Sequence, residues 1–293
     1  MLNIKIGTMV DIEQIDIIPK LVEYGFETFS LIFKFDKDYD MPKTAEAVKR
    51  VLEGTGCGVS NLCVYNNALA DEERGEKTRA CWNMLIDAAG LFGTDIVAGF
   101  TGRVIGKPVP ESIPKFKEVF ASLAEKAGAK GVRLAFENCF KQGDWRSGDW
   151  NIACTPRAWE MMFDAVPHDN IGLQWEPCHQ MLQLIDPIPQ LRKWVKKVFC
   201  LHGKDANIAW DVVKEHGFKS ETQFVWQRTP GFGDCNWKDI ISILVLSGFS
   251  GVIDIEGHHD PVFRNELEYT GQVYSLNYLK QCRGGDYYVN PAP

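Results

Sequence analysis

Short β-rich runs alternate with longer stretches of helical period along the whole of this 293-residue chain. The runs are Ile4–Met9, Thr28–Phe33, Gly58–Tyr65, Asp95–Phe100, Val132–Glu137, Ile171–Glu176, Val198–His202 and Val252–Glu256, which makes eight. Between them, Ile113, Phe116, Phe120, Leu123, Ala124 and Ala127 recur at helical spacing, as do Trp82, Leu85, Ile86 and Ala89, and Tyr269, Val273 and Leu276 begin a last stripe. Glycines at 25, 54, 93, 128 and 248 stand where helices would stop, because a left-handed terminal residue costs glycine least. Eight β-then-α units at this length predict a closed parallel (β/α)8 barrel. An open doubly wound sheet would carry a glycine-rich phosphate loop after its first strand. The segment here reads GTMVDIEQ, which lacks the pattern. No Pro/Gly/Ser linker or low-complexity tract divides the chain, so one barrel domain is expected over residues 1–293, with long loops near 138–155 and 218–236.

Composition narrows the functions such a barrel can have. The formal charge of −7 and the absence of a Lys/Arg block argue against a nucleic-acid partner, whose binding draws on basic surface. No run reaches the roughly 18 uncharged apolar residues of a membrane span, and Ile240–Ile253 comes nearest. Nine scattered cysteines without a CxxC pair read as reduced thiols, and the amino terminus lacks the features of a secretory signal. A cytoplasmic protein is the expectation.

In a barrel of this kind, side chains at the carboxyl ends of strands face the functional mouth. The last four runs close alike, with LAFEN bearing Glu137, GLQWEPCH bearing Glu176 and His179, VFCLHGKD bearing His202, Lys204 and Asp205, and GVIDIEGHHD bearing Glu256, His258 and His259. Three carboxylates converging without a cation would repel one another, whereas a divalent ion makes the arrangement favourable. Glu137, Glu176, His202 and Glu256 form a set suited to a hard or borderline ion with open positions. His179, three residues after Glu176, either shares the site or supports a ligand, and only one of the adjacent His258 and His259 is expected to enter it.

Over nearly its whole length, and most specifically over residues 131–261, the chain resembles the xylose isomerase-like (β/α)8 barrels. These include sugar isomerases, ketose 3-epimerases, hydroxypyruvate isomerases and inosose dehydratases. The segments FTGR (Phe100–Arg103), GLQWEPCHQ, HGKD and RTPGFGD (Arg228–Asp234) are similar to their counterparts in the sugar phosphate isomerase/epimerase branch. In that family a Glu, an Asp or Glu, a His and a Glu after the last four strands hold one divalent cation, and they match Glu137, Glu176, His202 and Glu256. Two positions depart from the common form: Glu176 stands where many members have Asp, and EGHHD at 256–260 replaces EHED.

The resemblance implies a divalent-metal-dependent sugar isomerase or epimerase that removes a proton next to a carbonyl. The implied ion is Mn²⁺ before Mg²⁺ or Co²⁺, since a mixed oxygen and imidazole shell admits all three. Glu137 and Glu256 would exchange the proton, with His179 polarising a hydroxyl. Arg228, Arg103, Trp145, Trp150, Trp175 and His258 are candidates for sugar contacts, with core packing the competing role for Trp175. Lys204 and Asp205 are expected to pair with each other.

The alternative is a lyase of the same fold performing β-elimination on a 3-oxo sugar or glycoside. It would resemble inosose dehydratase, or the catalytic subunit of a C-glycoside deglycosidase with its small β-rich partner subunit. The tail Asp286–Tyr287–Tyr288 would suit such a partner surface. A homo-oligomer is otherwise expected. Apurinic endonucleases share the barrel but need more histidine ligands than this chain's six His offer. A non-catalytic sugar-binding barrel is the remaining class.

Overall fold

The computed structural model describes residues 3–285, 289 and 291, so the Asp286–Tyr287–Tyr288 segment lies outside the described residues. Eight parallel strands close a barrel: β1 (Ile4–Asp11), β2 (Thr28–Ile32), β3 (Gly58–Val64), β4 (Ile96–Gly99), β5 (Arg133–Glu137), β6 (Ile171–Trp175), β7 (Val198–Gly203) and, last in the chain, β10 (Gly251–Ile255). The ring closes where Ile4–Thr8 of β1 pair with Gly251–Ile255 of β10. These strands read as near-continuous apolar runs because both faces are covered, one by the barrel interior and the other by helices. Two further strands, β8 (Asp205–Ile208) and β9 (Val225–Arg228), form an antiparallel ribbon that rises from the end of β7. The long loop expected near 218–236 thus contains a strand, β9. Strands of four residues with mixed polarity, DANI and VWQR, carry too little alternation to be seen.

The helices form where the stripes and caps require. In α4 (Val109–Ala129), Phe116, Phe120, Leu123, Ala124 and Ala127 are buried against the barrel. Phe120 meets Trp82 of α3 (Glu73–Ala88) edge-on with ring centroids 5.5 Å apart, and meets Phe136 of β5 at 5.0 Å. Each such buried ring contributes about 1.5–3 kcal/mol of hydrophobic stabilisation. Side-chain caps start several helices: Asp40 accepts from the Lys43 amide at α2 (Met41–Leu52), and Thr155 from the Ala158 amide at α5 (Pro156–Ala165). Gly25 (φ 98°) ends α1 (Ile18–Tyr24) as expected, whereas Gly128 lies inside α4. Gly131 (φ 70°) takes the left-handed position there instead.

At the barrel floor, Asp254 Oδ2 accepts from Ser60 Oγ (2.8 Å) and Asn61 Nδ2 (3.0 Å). A side chain at Gly7 would lie 2.3 Å from Asp254 Oδ1, so the GTMVDIEQ segment needs glycine for interior packing. The final helix α10 (Glu268–Arg283) clasps that end. Arg283 donates twice to Glu27 (2.6 and 3.0 Å) and once to the Ile4 carbonyl. Among the described residues, no helix is long and apolar enough to cross a membrane.

Candidate metal and substrate site

The strands β5, β6, β7 and β10 are consecutive neighbours in the barrel, which is why their carboxyl ends converge. Glu137 ends β5, Glu176 follows β6, His202 lies in β7 and Glu256 follows β10. Polar side chains continue the backbone pairing past the last ladder bonds. Asn138 donates to the Glu176 carbonyl (2.9 Å) and accepts from the Glu176 amide (2.7 Å). Asn151 donates to the carbonyls of Glu137 (2.8 Å) and Cys139 (2.7 Å), fastening the long loop after β5 to the site.

One ligand atom from each of Glu137, Glu176, His202 and Glu256 lies within 4.8 Å of all the others. His202 Nδ1 is 3.8 Å from Glu137 Oε2, 3.7 Å from Glu176 Oε2 and 3.3 Å from Glu256 Oε2. Ligands on opposite sides of an ion with bonds of about 2.1 Å stand about 4.2 Å apart, so these separations fit one coordination sphere. Three of these atoms, His202 Nδ1, Glu176 Oε2 and Glu256 Oε2, are buried without a hydrogen-bond partner. Buried polar atoms are ordinarily satisfied. Three orphaned atoms, joined by Glu137 Oε2 at 3.8 Å from His202 Nδ1, fit a divalent cation.

The imidazole is oriented from behind. The Tyr65 hydroxyl donates to Gln174 Oε1 (3.0 Å), and His202 Nε2 is 3.2 Å from the same hydroxyl. A hydroxyl has one proton, so its bond to Gln174 leaves it an acceptor toward His202. That places the ring proton on Nε2 and the lone pair of Nδ1 toward the carboxylates, the arrangement a metal ligand needs.

Electrostatics express the same crowding. Burial, with Glu256 and Glu176 beside it, pushes the Glu137 carboxyl up to about 8. Burial also opposes the charged form of Glu176, but His179 and Lys204 outweigh it and hold that carboxyl down to about 2. Burial opposes the charged form of His202, yet Glu176 and Glu256 outweigh it and hold the imidazole well above its ordinary value. These are the responses of clustered carboxylates when protons are their only mobile cations. His179 Nε2 approaches Glu176 Oε1 at 2.8 Å and Glu137 Oε1 at 3.8 Å.

A cavity of about 660 Å³ opens above the cluster, walled in part by Glu137, Glu256, His179, Trp150, His258 and His259. Both adjacent histidines reach it, against the expectation that only one would. His259 has φ 73°, and the turned backbone brings its ring round beside that of His258, 6.2 Å away.

Four expected sugar contacts lie away from the cavity wall. Arg103 is 1% exposed and spent on the carbonyls of Lys107, Asp144 and Trp145, so it ties together the loops after β4 and β5. Arg228 is held by Asp260 Oδ2 (3.2 Å) and Asn207 Oδ1 (2.6 Å), and its neighbour Gln227 faces the cavity in its place. Trp175 is fully buried in the core, and Trp145 packs against that core while Trp150 reaches the mouth. Arg74 stacks on the Trp150 ring, 3.9 Å from its centroid.

Nor do Lys204 and Asp205 pair with each other. Asp205 accepts from the amides of Ala206 and Cys235 and from Trp237 Nε1, anchoring the ribbon; burial still raises its carboxyl to about 6. Lys204 turns the other way and donates to Glu256 Oε1 at 2.5 Å. Tyr65 and Gln174 are therefore site residues outside the candidates the sequence offers, and Lys204, expected only to pair with Asp205, contacts Glu256 instead. Tyr65 closes the third β-rich run, and its position at a strand end was the available signal.

A family model described as xylose isomerase-like TIM barrel matches residues 18–281. The chain belongs to that family. A 116-residue stretch is 31% identical to an inosose dehydratase of Clostridium tetani, spanning 38% of each protein. Among solved members of the fold, a xylose isomerase domain protein from Planctomyces limnophilus superposes with TM-score 0.71 at 18% identity, over 96% of this chain and 97% of that one. A 3-keto-D-glucoside 4-epimerase from E. coli gives 0.69 at 15%, over 95% and 100%. A D-allulose 3-epimerase from Methylomonas sp. gives 0.69 at 14%, over 95% and 97%. Xylose isomerase-like barrels similar to this chain thus include both epimerases and dehydratases.

Proposed function

We propose that the protein is a divalent-metal-dependent sugar isomerase or epimerase. The observation that carries the reading is the orphaned cluster: three carboxylates and an imidazole at the base of a cavity, with three of their facing polar atoms buried and unpaired. Glu137, Glu176, His202 and Glu256 would hold the ion, with Mn²⁺ first and Mg²⁺ or Co²⁺ as alternatives. When bound, the ion acts as a Lewis acid that draws charge from a sugar carbonyl. Glu137 and Glu256 stand on nonadjacent strands and both reach the cavity, so one takes the proton from the carbon beside the carbonyl and the other, once protonated from solvent, can deliver one to the intermediate. His179 binds a substrate hydroxyl. Trp150, backed by Arg74, offers a flat apolar face for a sugar ring. Return of the proton to the opposite face of the same carbon is epimerisation, and return to the neighbouring carbon is isomerisation.

A second reading has its own support in the stretch shared with inosose dehydratase. On a 3-oxo sugar or glycoside, the same proton removal leads to expulsion of a β-substituent, and the protein is then a lyase. Incubation with free ketoses and with 3-oxo-glycosides in deuterated water separates the two. Deuterium incorporation with an epimeric or isomeric product supports the first reading, and release of water or an aglycone without such a product supports the second. Metal analysis of His202→Ala and Glu256→Gln tests the ion directly, and metal content equal to the parent protein in both would remove the basis of either mechanism.

A further inference from the structure

Lys204 is only 2% exposed, yet it lines the cavity. Its ammonium contacts one oxygen of Glu256, and the other oxygen of that carboxylate faces His202 Nδ1 at 3.3 Å without a hydrogen-bond partner. An ammonium carries three N–H donors. Among the described residues its one hydrogen bond is to Glu256 Oε1, so two donors remain free on a residue that lines the cavity. Burying a positive charge is expensive, and here the carboxylates of Glu256 and Glu176 offset that cost and keep the ammonium charged.

The charge count gives that cost a use. Three carboxylates around a divalent ion leave one negative charge in surplus, and Lys204 cancels it. A neutral resting site adds no repulsion against the negative charge that appears on substrate. Donors fixed in advance near that charge are worth most where water is excluded.

We propose that Lys204 is a catalytic residue whose ammonium, held by Glu256, donates to the substrate oxygen on which negative charge develops. The inference rests on the proton-removal chemistry of the proposed function. As the C–H bond breaks, its proton passes to a carboxylate, its electron pair forms the new C=C bond, and the carbonyl π pair moves onto oxygen beside the ammonium. Lys204 keeps its own protons throughout.

Binding tests the role without turnover. The probe is glycolohydroxamate, a small anion shaped like an enediolate, titrated into the Mn²⁺-loaded full chain and into Lys204→Met and Lys204→Gln. Loss of a hydrogen bond from a charged group predicts affinity for the anion about tenfold to a hundredfold weaker in both variants. Affinity for Mn²⁺ itself, measured separately, is expected to hold or tighten, because a neighbouring positive charge has been removed. The proposal is overturned if wild type does not bind the anion, if either variant binds it as well as wild type, or if Mn²⁺ affinity falls in parallel. That last result would reduce Lys204 to a positioning residue for Glu256. Lysine-dependent anion binding with no turnover in the sugar panel would instead count against the sugar substrate and leave the role of Lys204 standing.

Discussion

Removing one oxygen atom at Tyr65 probes the site from behind. In Tyr65→Phe the ring keeps its edge contact with Phe100, centroids 5.2 Å apart, so packing is preserved. Two hydrogen bonds are lost: the one to Gln174 Oε1 at 3.0 Å and the one shared with His202 Nε2 at 3.2 Å. Gln174 and His202 are fully buried, so each is left with an unpaired polar atom. Such a loss costs about 1–3 kcal/mol in stability per group. The larger consequence concerns the imidazole. Without an acceptor behind Nε2, nothing holds the ring proton there, and the tautomer with its proton on Nδ1 would point a hydrogen at the proposed metal position. Loss of a partner that orients a metal-binding His typically weakens the metal about tenfold to a hundredfold. Competition against a fluorescent chelator measures Mn²⁺ affinity, and urea denaturation of the metal-free protein measures stability. Weakened Mn²⁺ binding beyond tenfold is expected. Mn²⁺ affinity within threefold of the parent, alongside a stability loss, would refute the argument and leave the hydroxyl as internal packing support only.

Chelation should lower the melting temperature, because an ion at a hundred times its dissociation constant adds about 2.7 kcal/mol; an unchanged melt with and without EDTA contradicts the metal reading. Trp175→Ala should cost about 3–5 kcal/mol in urea denaturation, whereas Trp150→Ala should leave stability within about 1 kcal/mol and raise KM for the sugar. Equal stability losses in the two variants would contradict their assignment to core and mouth. At the barrel floor, burial raises the Glu27 carboxyl, but Arg283 and the Ile6 amide outweigh it and hold it below its ordinary value of 4.5. Its folded value being the lower one, Glu27 contributes stability above pH 4.5 that is lost as pH falls through the folded value. Glu27→Gln should therefore cost about 1–2 kcal/mol at pH 7, after discounting for partial exposure, and the gap to wild type should close on acidification; a gap constant between pH 7 and pH 3 would show that the clasp acts through shape alone.

The barrel was legible because its strands are long and apolar and their spacing regular, which local pattern reports well. The four cluster residues were legible for a related reason: each directly follows an apolar run, and parallel strands bring their carboxyl ends together. Side-chain direction was not legible. Arg103 and Arg228 carry the charge expected of sugar contacts, but their partners are the carbonyls of Lys107, Asp144 and Trp145 in one case and Asp260 in the other. These are contacts across turns and loops that no local pattern encodes. Lys204 and Asp205 looked like a pair because they are adjacent, yet neighbours in extended backbone point to opposite sides. One faces Glu256 and the other faces Trp237.

That alternation bears on how the formal charge of −7 is distributed. Three of its acidic residues belong to the cluster, and one lysine, placed by the same alternation, belongs with them. An acidic site that merely captured a cation would gain nothing from a buried ammonium beside it, since like charges repel. A site that must also stabilise an anion does gain, because an ion and the ammonium, on the two oxygens of Glu256, would then stand near the same developing charge. The two demands pull in opposite directions on metal affinity, and Lys204→Met separates them. Tighter Mn²⁺ with weaker anion binding is the signature of a site that gives up hold on its ion in order to stabilise a transition state.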